Sequence, residues 1–191
     1  MSIKLIVGLR NPGADYAQTR HNVGQWFVDL LAHHSHTAFR VEKKLHCEVA
    51  SITTASGICR LALPLTFMNH SGLPLRALTQ FYQYRPDEIL VVHDDLDLMP
   101  GRIKLKTGGG HGGHNGLRDI LSHLGHADFH RLRIGIGHPG QKELVVNYVL
   151  GKPILSERQQ IEGAMARALA VMPQLMAGEL GLAMNQLNTL S

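Results

Sequence analysis

Short apolar runs alternate with stretches of helical periodicity along this chain, and that alternation admits few folds. Residues 3–9 (IKLIVGL) run apolar to a glycine, as a buried strand does. Val23, Trp26, Phe27, Leu30 and Leu31 follow at the spacing of one helical face. Residues 89–95 read as an apolar strand ending in acid, and FHRLRIGIG (129–137) as another. Between these, Leu117, Ile120, Leu121 and Leu124 again share a helical face. Strands interleaved with helices predict an α/β domain. HCEVASITT (46–54) and ICRLALP (58–64) read as a hairpin, which makes the sheet mixed rather than purely parallel. The expectation is one domain over residues 1–191, a twisted mixed β-sheet flanked by helices.

Local signals refine the elements. The first helix should begin near His21-Asn22, with Asn22 as its N-cap. A second runs from about Ser71, with Leu75, Leu78, Phe81 and Tyr82 facing inward. RIKLKTG (102–108) alternates as a strand. A C-terminal helix over about 156–177 buries Ile161, Ala164, Met165, Ala168, Met172 and Leu175, and Pro173 should kink or end it.

Hydrophobic residues make up 44% and charged residues 18%, an ordinary globular balance. No apolar run reaches the ~18 residues of a membrane helix. The N-terminus lacks a signal peptide's apolar core and cleavage site, so a cytoplasmic protein is expected. In the hairpin register, Cys47 falls opposite about residue 64 and Cys59 opposite about residue 53, so the two thiols should stay unpaired.

The net charge of +4 is uneven. Residues 86–100 carry five acids and no base, while segments 1–85 and 101–142 each carry +5. Basic segments around a short acidic one suit a polyanion-binding surface beside a site that uses carboxylates.

Thirteen histidines raise the question of a metal. There is no HExxH and no CxxC, and only His111 and His114 have ligand-like spacing, so no metal site is expected. GGGHGGHNG (108–116) resembles a phosphate cradle at a helix start, with Asn115 as the cap. It lacks the Gly-Lys-Ser/Thr of a nucleotide-binding P-loop.

Asn11, His21, Asn69, Asp94 and the His114-Asn115 pair all stand at element ends. In an α/β sheet the carboxyl ends of the strands form the binding crevice, and these residues should converge there. No serine or cysteine occupies a nucleophile motif, so a hydrolase built from these parts would activate water with a histidine. Asp94 could hold the far ring nitrogen of His21 and fix its tautomer. A helix N-terminus disfavours an imidazolium while Asp94 favours it, which sets the expected pKa of His21 near neutrality.

Four segments carry a specific likeness. VGLRNPGADYAQTRHNVG, PLTFMNHSG, VVHDDLDLMPGRIKLKTGGGHGGHNGLRDI and FHRLRIGIGHPG resemble, in order, the signatures of bacterial peptidyl-tRNA hydrolases. They cover most of residues 5–140. Met99 stands where the family more often has a second proline. The resemblance implies hydrolysis of the ester between peptide and tRNA, no cofactor and a monomer. It implies His21 as catalytic base, Asp94 as its supporting carboxylate and Asn11 as selector of blocked amino groups. It implies substrate contacts at Tyr16, Phe67, Asn69, His114 and Asn115. Lys104, Lys106, Arg131 and Arg133 are candidates for tRNA phosphates, although Arg133 could equally hold a strand. Two other readings fit part of the chain: a noncatalytic RNA-binding module, and a phosphate- or nucleotide-binding enzyme using the glycine loop.

Overall fold

Period-two alternation sends Leu5 and Val7 to one face of a sheet and Ile6 to the other, and each face is covered by helices. The computed structural model describes residues 2–189. The strands are β1 (Leu5–Gly8), β2 (Arg40–Glu42), β3 (Cys47–Thr54), β4 (Gly57–Pro64), β5 (Ile89–Asp95), β6 (Ile103–Thr107) and β7 (His130–Gly135). The helices are α1 (Val23–His34), α2 (Gly72–Tyr82), α3 (Asn115–Leu124), α4 (Val145–Val149), α5 (Leu155–Ala177) and α6 (Leu180–Thr189).

The sheet order is β2-β3-β4-β1-β5-β7-β6. β4, β1, β5 and β7 run parallel, while β2, β3 and β6 are antiparallel to their neighbours. The mixed α/β sheet expected from the sequence is therefore present. α1, α5 and α6 pack on one face, with Phe27, Leu31, Met165 and Leu175 buried against Ile6, Leu90 and Leu132. α2 and α3 cover the other, where Leu75, Leu78 and Ile120 meet Leu5, Val7 and Val91.

Cys47 pairs across the hairpin with Pro64, and Cys59 with Ile52, one residue from the expected partner. The thiols lie in the cores on opposite faces of the sheet, free and buried, and burial pushes both up to about 12.

Two local expectations are corrected, and that for Pro173 is narrowed to one of its two alternatives. Phe81 is 67% exposed. The inward face of α2 is filled by Leu75, Leu78 and the partly buried Tyr82, and Phe81 lies edge-on to the Tyr82 ring. Pro173 does not end α5, which continues to Ala177. Proline removes one helical hydrogen bond, and burial of Met172, Leu175 and Met176 holds the turn around it. Asn22 occupies the N-cap of α1 without a side-chain capping bond, because its amide is engaged elsewhere. The sequence reading also passed over β2, α4 and α6.

Candidate active site

The parallel strands end together at one edge of the sheet, and the loops leaving β1, β4 and β5 bring the polar residues into one cleft. Its position depends on how closely α1 approaches the sheet. A Cβ on Gly24 would collide with the carbonyl oxygen of Val92 and lie 2.8 Å from Leu9 N. Only glycine permits that approach. It sets the turn Arg20–Asn22 beside the end of β5, two residues beyond Val92. Arg20 anchors the same turn: its buried guanidinium pairs with Glu157 at 2.7 Å, donates to Tyr148 O and lies over the Tyr148 ring.

His21 and Asp94 meet there. His21 Nδ1 lies 2.9 Å from both carboxylate oxygens, and the side chains are 9% and 2% exposed. His114 Nε2 lies 2.8 Å from Asp94 Oδ1, so one carboxylate serves two histidines. Burial alone would lower the His21 pKa, but the Asp94 charge and its hydrogen bond outweigh burial and raise it above its ordinary value. Burial would raise Asp94, yet His21 and His114 hold it far below the usual carboxylate range. His93 is buried beside His114, with Nδ1 2.7 Å from Asp94 O, and burial pushes it down to about 3.

His21, Asp94 and His114 bring potential ligand atoms within 4.8 Å of one another, a grouping that chain spacing did not disclose. Their ring N to carboxylate O distances are 2.8–2.9 Å, shorter than the roughly 3.3 Å between two ligand atoms on a tetrahedral zinc. The contacts are hydrogen bonds.

Asn11 is fixed by two neighbours. Its backbone N–H donates to Asn22 Oδ1 at 2.9 Å, Asn22 Nδ2 donates to Asn11 O at 2.8 Å, and Met68 N–H donates to Asn11 Oδ1 at 2.7 Å. The Asn11 carbonyl oxygen is thus occupied, while its Nδ2 has no hydrogen-bond partner among the described residues. Asn22 was missed as a site residue; its signal was its place directly after His21.

The cleft encloses about 880 Å³ and is lined by Asn11, His21, Asn69, Asp94, His114 and Asn115. Asn69 and Asn115 are exposed on it, and Asn115 Oδ1 accepts from Arg118 at 3.1 Å. Tyr16 and Phe67 are not in this lining; they meet edge to face at 6.1 Å, with Phe67 exposed. Part of the lining is apolar, built by Val145, Val146, Val149 and Leu150 of the α4 region; no sequence motif marked it.

The expected N-cap at Asn115 is corrected. His114 caps α3, accepting the Leu117 N–H on Nδ1. Asn115 is the first helical residue, so its side chain projects from the helix.

The four basic candidates separate. Lys106 is exposed on the cleft, whereas Lys104 is half-buried and outside its lining. Arg133 is on the lining but pairs with Asp95 at 2.7 Å, which ties β7 to β5. Arg131 is buried and spends two nitrogens on the carbonyls of Gly109 and Gly110, at 2.5 Å each. It straps the glycine loop to the sheet.

The chain matches the family model described as peptidyl-tRNA hydrolase over residues 5–191. A Legionella pneumophila (strain Paris) protein named peptidyl-tRNA hydrolase is 59% identical over 188 residues, 98% of this chain and 100% of its own. One of that name from Neisseria meningitidis serogroup A is 55% identical over 178 residues, 93% of each chain. The crystal structure of peptidyl-tRNA hydrolase from Acinetobacter baumannii superposes with a TM-score of 0.95 at 50% identity, covering 98% of this chain and 95% of that one.

Proposed function

The chain belongs to the peptidyl-tRNA hydrolase family and hydrolyses the ester joining peptide to tRNA, and we propose that His21 is the general base that activates water for this reaction. The observation that carries the assignment is the buried His21–Asp94 contact on the cleft wall. With Nδ1–H donated to Asp94, the His21 lone pair is on Nε2, which has no hydrogen-bond partner among the described residues. Water gives its proton to Nε2, and the resulting hydroxide attacks the ester carbonyl carbon. The tetrahedral oxyanion collapses, the ester C–O bond breaks, and the ribose oxygen takes the proton back from His21. The products are a tRNA hydroxyl and a peptide carboxylic acid, which releases its proton to solvent to become the carboxylate.

Asp94 keeps the productive tautomer and stabilises the imidazolium. Asn69 and Asn115 supply amide donors for the oxyanion. Asn115 is suited to this, because Arg118 holds its oxygen and leaves the nitrogen to donate. The peptide's last side chain packs against the apolar lining at Val145 and Val149. Tyr16 and Phe67 offer ring faces for the CCA end, and Lys106 neutralises a tRNA phosphate.

Asn11 selects N-acylated substrate. With its oxygen occupied by Met68 N–H, it presents only donor hydrogens to the cleft. A peptide carbonyl accepts from these, whereas a free α-ammonium is itself a donor and is left desolvated without a partner. A tRNA-specific enzyme of this kind should be indifferent to chelators.

His21→Ala is the direct test, on N-acetyl-aminoacyl-tRNA with chelator present. The expected result is binding within a few-fold of the parent and kcat down by about 10²–10⁴. Loss of affinity and kcat in equal measure would remove His21 from the role of base.

A further inference from the structure

The hydrogen bonds around His114 determine where its proton lies. The N–H of Leu117 can only donate, so His114 Nδ1 must carry a lone pair. The ring proton is then on Nε2, which donates to Asp94 Oδ1. Both ring nitrogens are committed and the side chain is 8% exposed. With both bonds in place, His114 has no lone pair to offer water.

Resting on His21 as base, we propose that His114 is a positioning residue: it fixes the Asp94 carboxylate and so sets the basicity of His21, through a ring that also caps α3. The carboxylate needs such a donor. Asp94 Oδ1 accepts from both rings, so its orientation toward His21 is fixed from the far side. Without the His114 N–H, the buried carboxylate would pull harder on the His21 proton. It would also be free to rotate. The same ring ties the end of the glycine loop to this carboxylate, so the loop that faces substrate and the base that activates water share one hinge.

Other charged groups near the pair are already accounted for. On the turn carrying His21, Arg20 is ion-paired with Glu157. On β5, His93 is neutral through the working range and Asp95 is paired with Arg133 of β7. Arg131 of β7 is bound to the loop carbonyls. His114 of α3 is the remaining contact on Asp94.

Two substitutions divide the two functions of the ring. Asn reproduces an acceptor near the Nδ1 position and Gln a donor near the Nε2 position. His114→Asn keeps the cap and cuts the link to Asp94; His114→Gln keeps the link and loses the cap. Both are assayed on N-acetyl-aminoacyl-tRNA for kcat and KM against pH, with the His21 ring resonances followed by NMR and melting measured alongside. For His114→Asn the expected result is a rise in kcat/KM displaced to higher pH together with the His21 titration. It should also show a kcat loss on the order of ten-fold at pH 7 and an unchanged KM. For His114→Gln the profile should stay in place while melting falls.

A change in KM alone would make His114 a substrate contact and overturn the proposal. So would a displaced profile in the Gln variant with an undisturbed one in the Asn variant, since the ring would then act through the cap. If the parent's kinetic rise does not track the His21 titration, the base assignment fails first and the proposal with it.

Discussion

Replacing Asp94 with Asn changes one atom and should nearly abolish turnover. His114 cannot reverse its proton, because Leu117 N–H holds the other nitrogen, so the Asn oxygen must face His114. The amide nitrogen then falls at the Oδ2 position, 2.9 Å from His21 Nδ1. The Asn oxygen stays 2.9 Å from the same nitrogen but is shared with His114, and the N–H now opposing His21 Nδ1 favours the tautomer with its proton on Nε2, the nitrogen meant for water. The variant also loses the charge that stabilises the imidazolium. Opposite charges ~4 Å apart at an effective dielectric near 20 interact by about 4 kcal/mol. At about 1.4 kcal/mol per decade that is roughly a thousand-fold in rate. The wrong tautomer carries a cost of the same order, about 10⁴ in a serine-protease triad. The two costs overlap, so the expected fall in kcat for Asp94→Asn is about 10³–10⁴ with KM little changed. Steady-state hydrolysis of N-acetyl-aminoacyl-tRNA measures both constants. A kcat within ten-fold of the parent would refute the tautomer argument.

Gly24→Ala should destabilise the fold by about 1–3 kcal/mol in urea titration, because the new Cβ meets backbone of β5 and of the Leu9 loop rather than a yielding side chain. It should lower kcat by more than that loss accounts for, since His21 rides on the displaced turn; normal kcat in a destabilised variant would show that the turn moves independently. Lys106→Ala should reduce the dependence of KM on salt by about one phosphate contact, a slope change near 0.7–0.9, whereas Lys104→Ala should leave the slope unaltered. Equal effects from both would remove the cleft from the phosphate path. His93 is held neutral in the fold and gains a proton on unfolding, so the unfolded state binds more protons and stability falls with pH from about 6.5 toward 3. His93→Asn should flatten that acid limb by about 1.4 kcal/mol per pH unit, and an unchanged limb would count against a buried neutral ring.

The α/β alternation was legible because each apolar run carries one period, two for Leu5–Val7 and 3.6 for Val23–Leu31. The meeting of His21 and Asp94 was legible for a topological reason: both stand at element ends, and parallel strands deliver such ends to one edge. The second histidine on Asp94 was not. His114 reaches the carboxylate because α3 begins one residue earlier than its Asn suggested, and that offset is decided by a tertiary contact. Asn22 misled for a related reason. As a free chain it would cap α1, but the backbone of Asn11 competes for its amide and wins both groups. Arg131 and Arg133 are alike in sequence; burial under the loop and the presence of Asp95 give them different tasks. α4 carries no motif, and its part in the cleft follows from packing alone.

The titration of His21, followed by its ring resonances and set beside the pH profile of kcat/KM for the same protein, bears most directly on the claim that this imidazole activates water. Asp94 raises the His21 pKa above 6.5, so both curves should share one midpoint above that value, with the rate climbing as the ring becomes neutral. A rate that climbs at a pH where His21 does not titrate, or one that falls as the ring loses its proton, would contradict it.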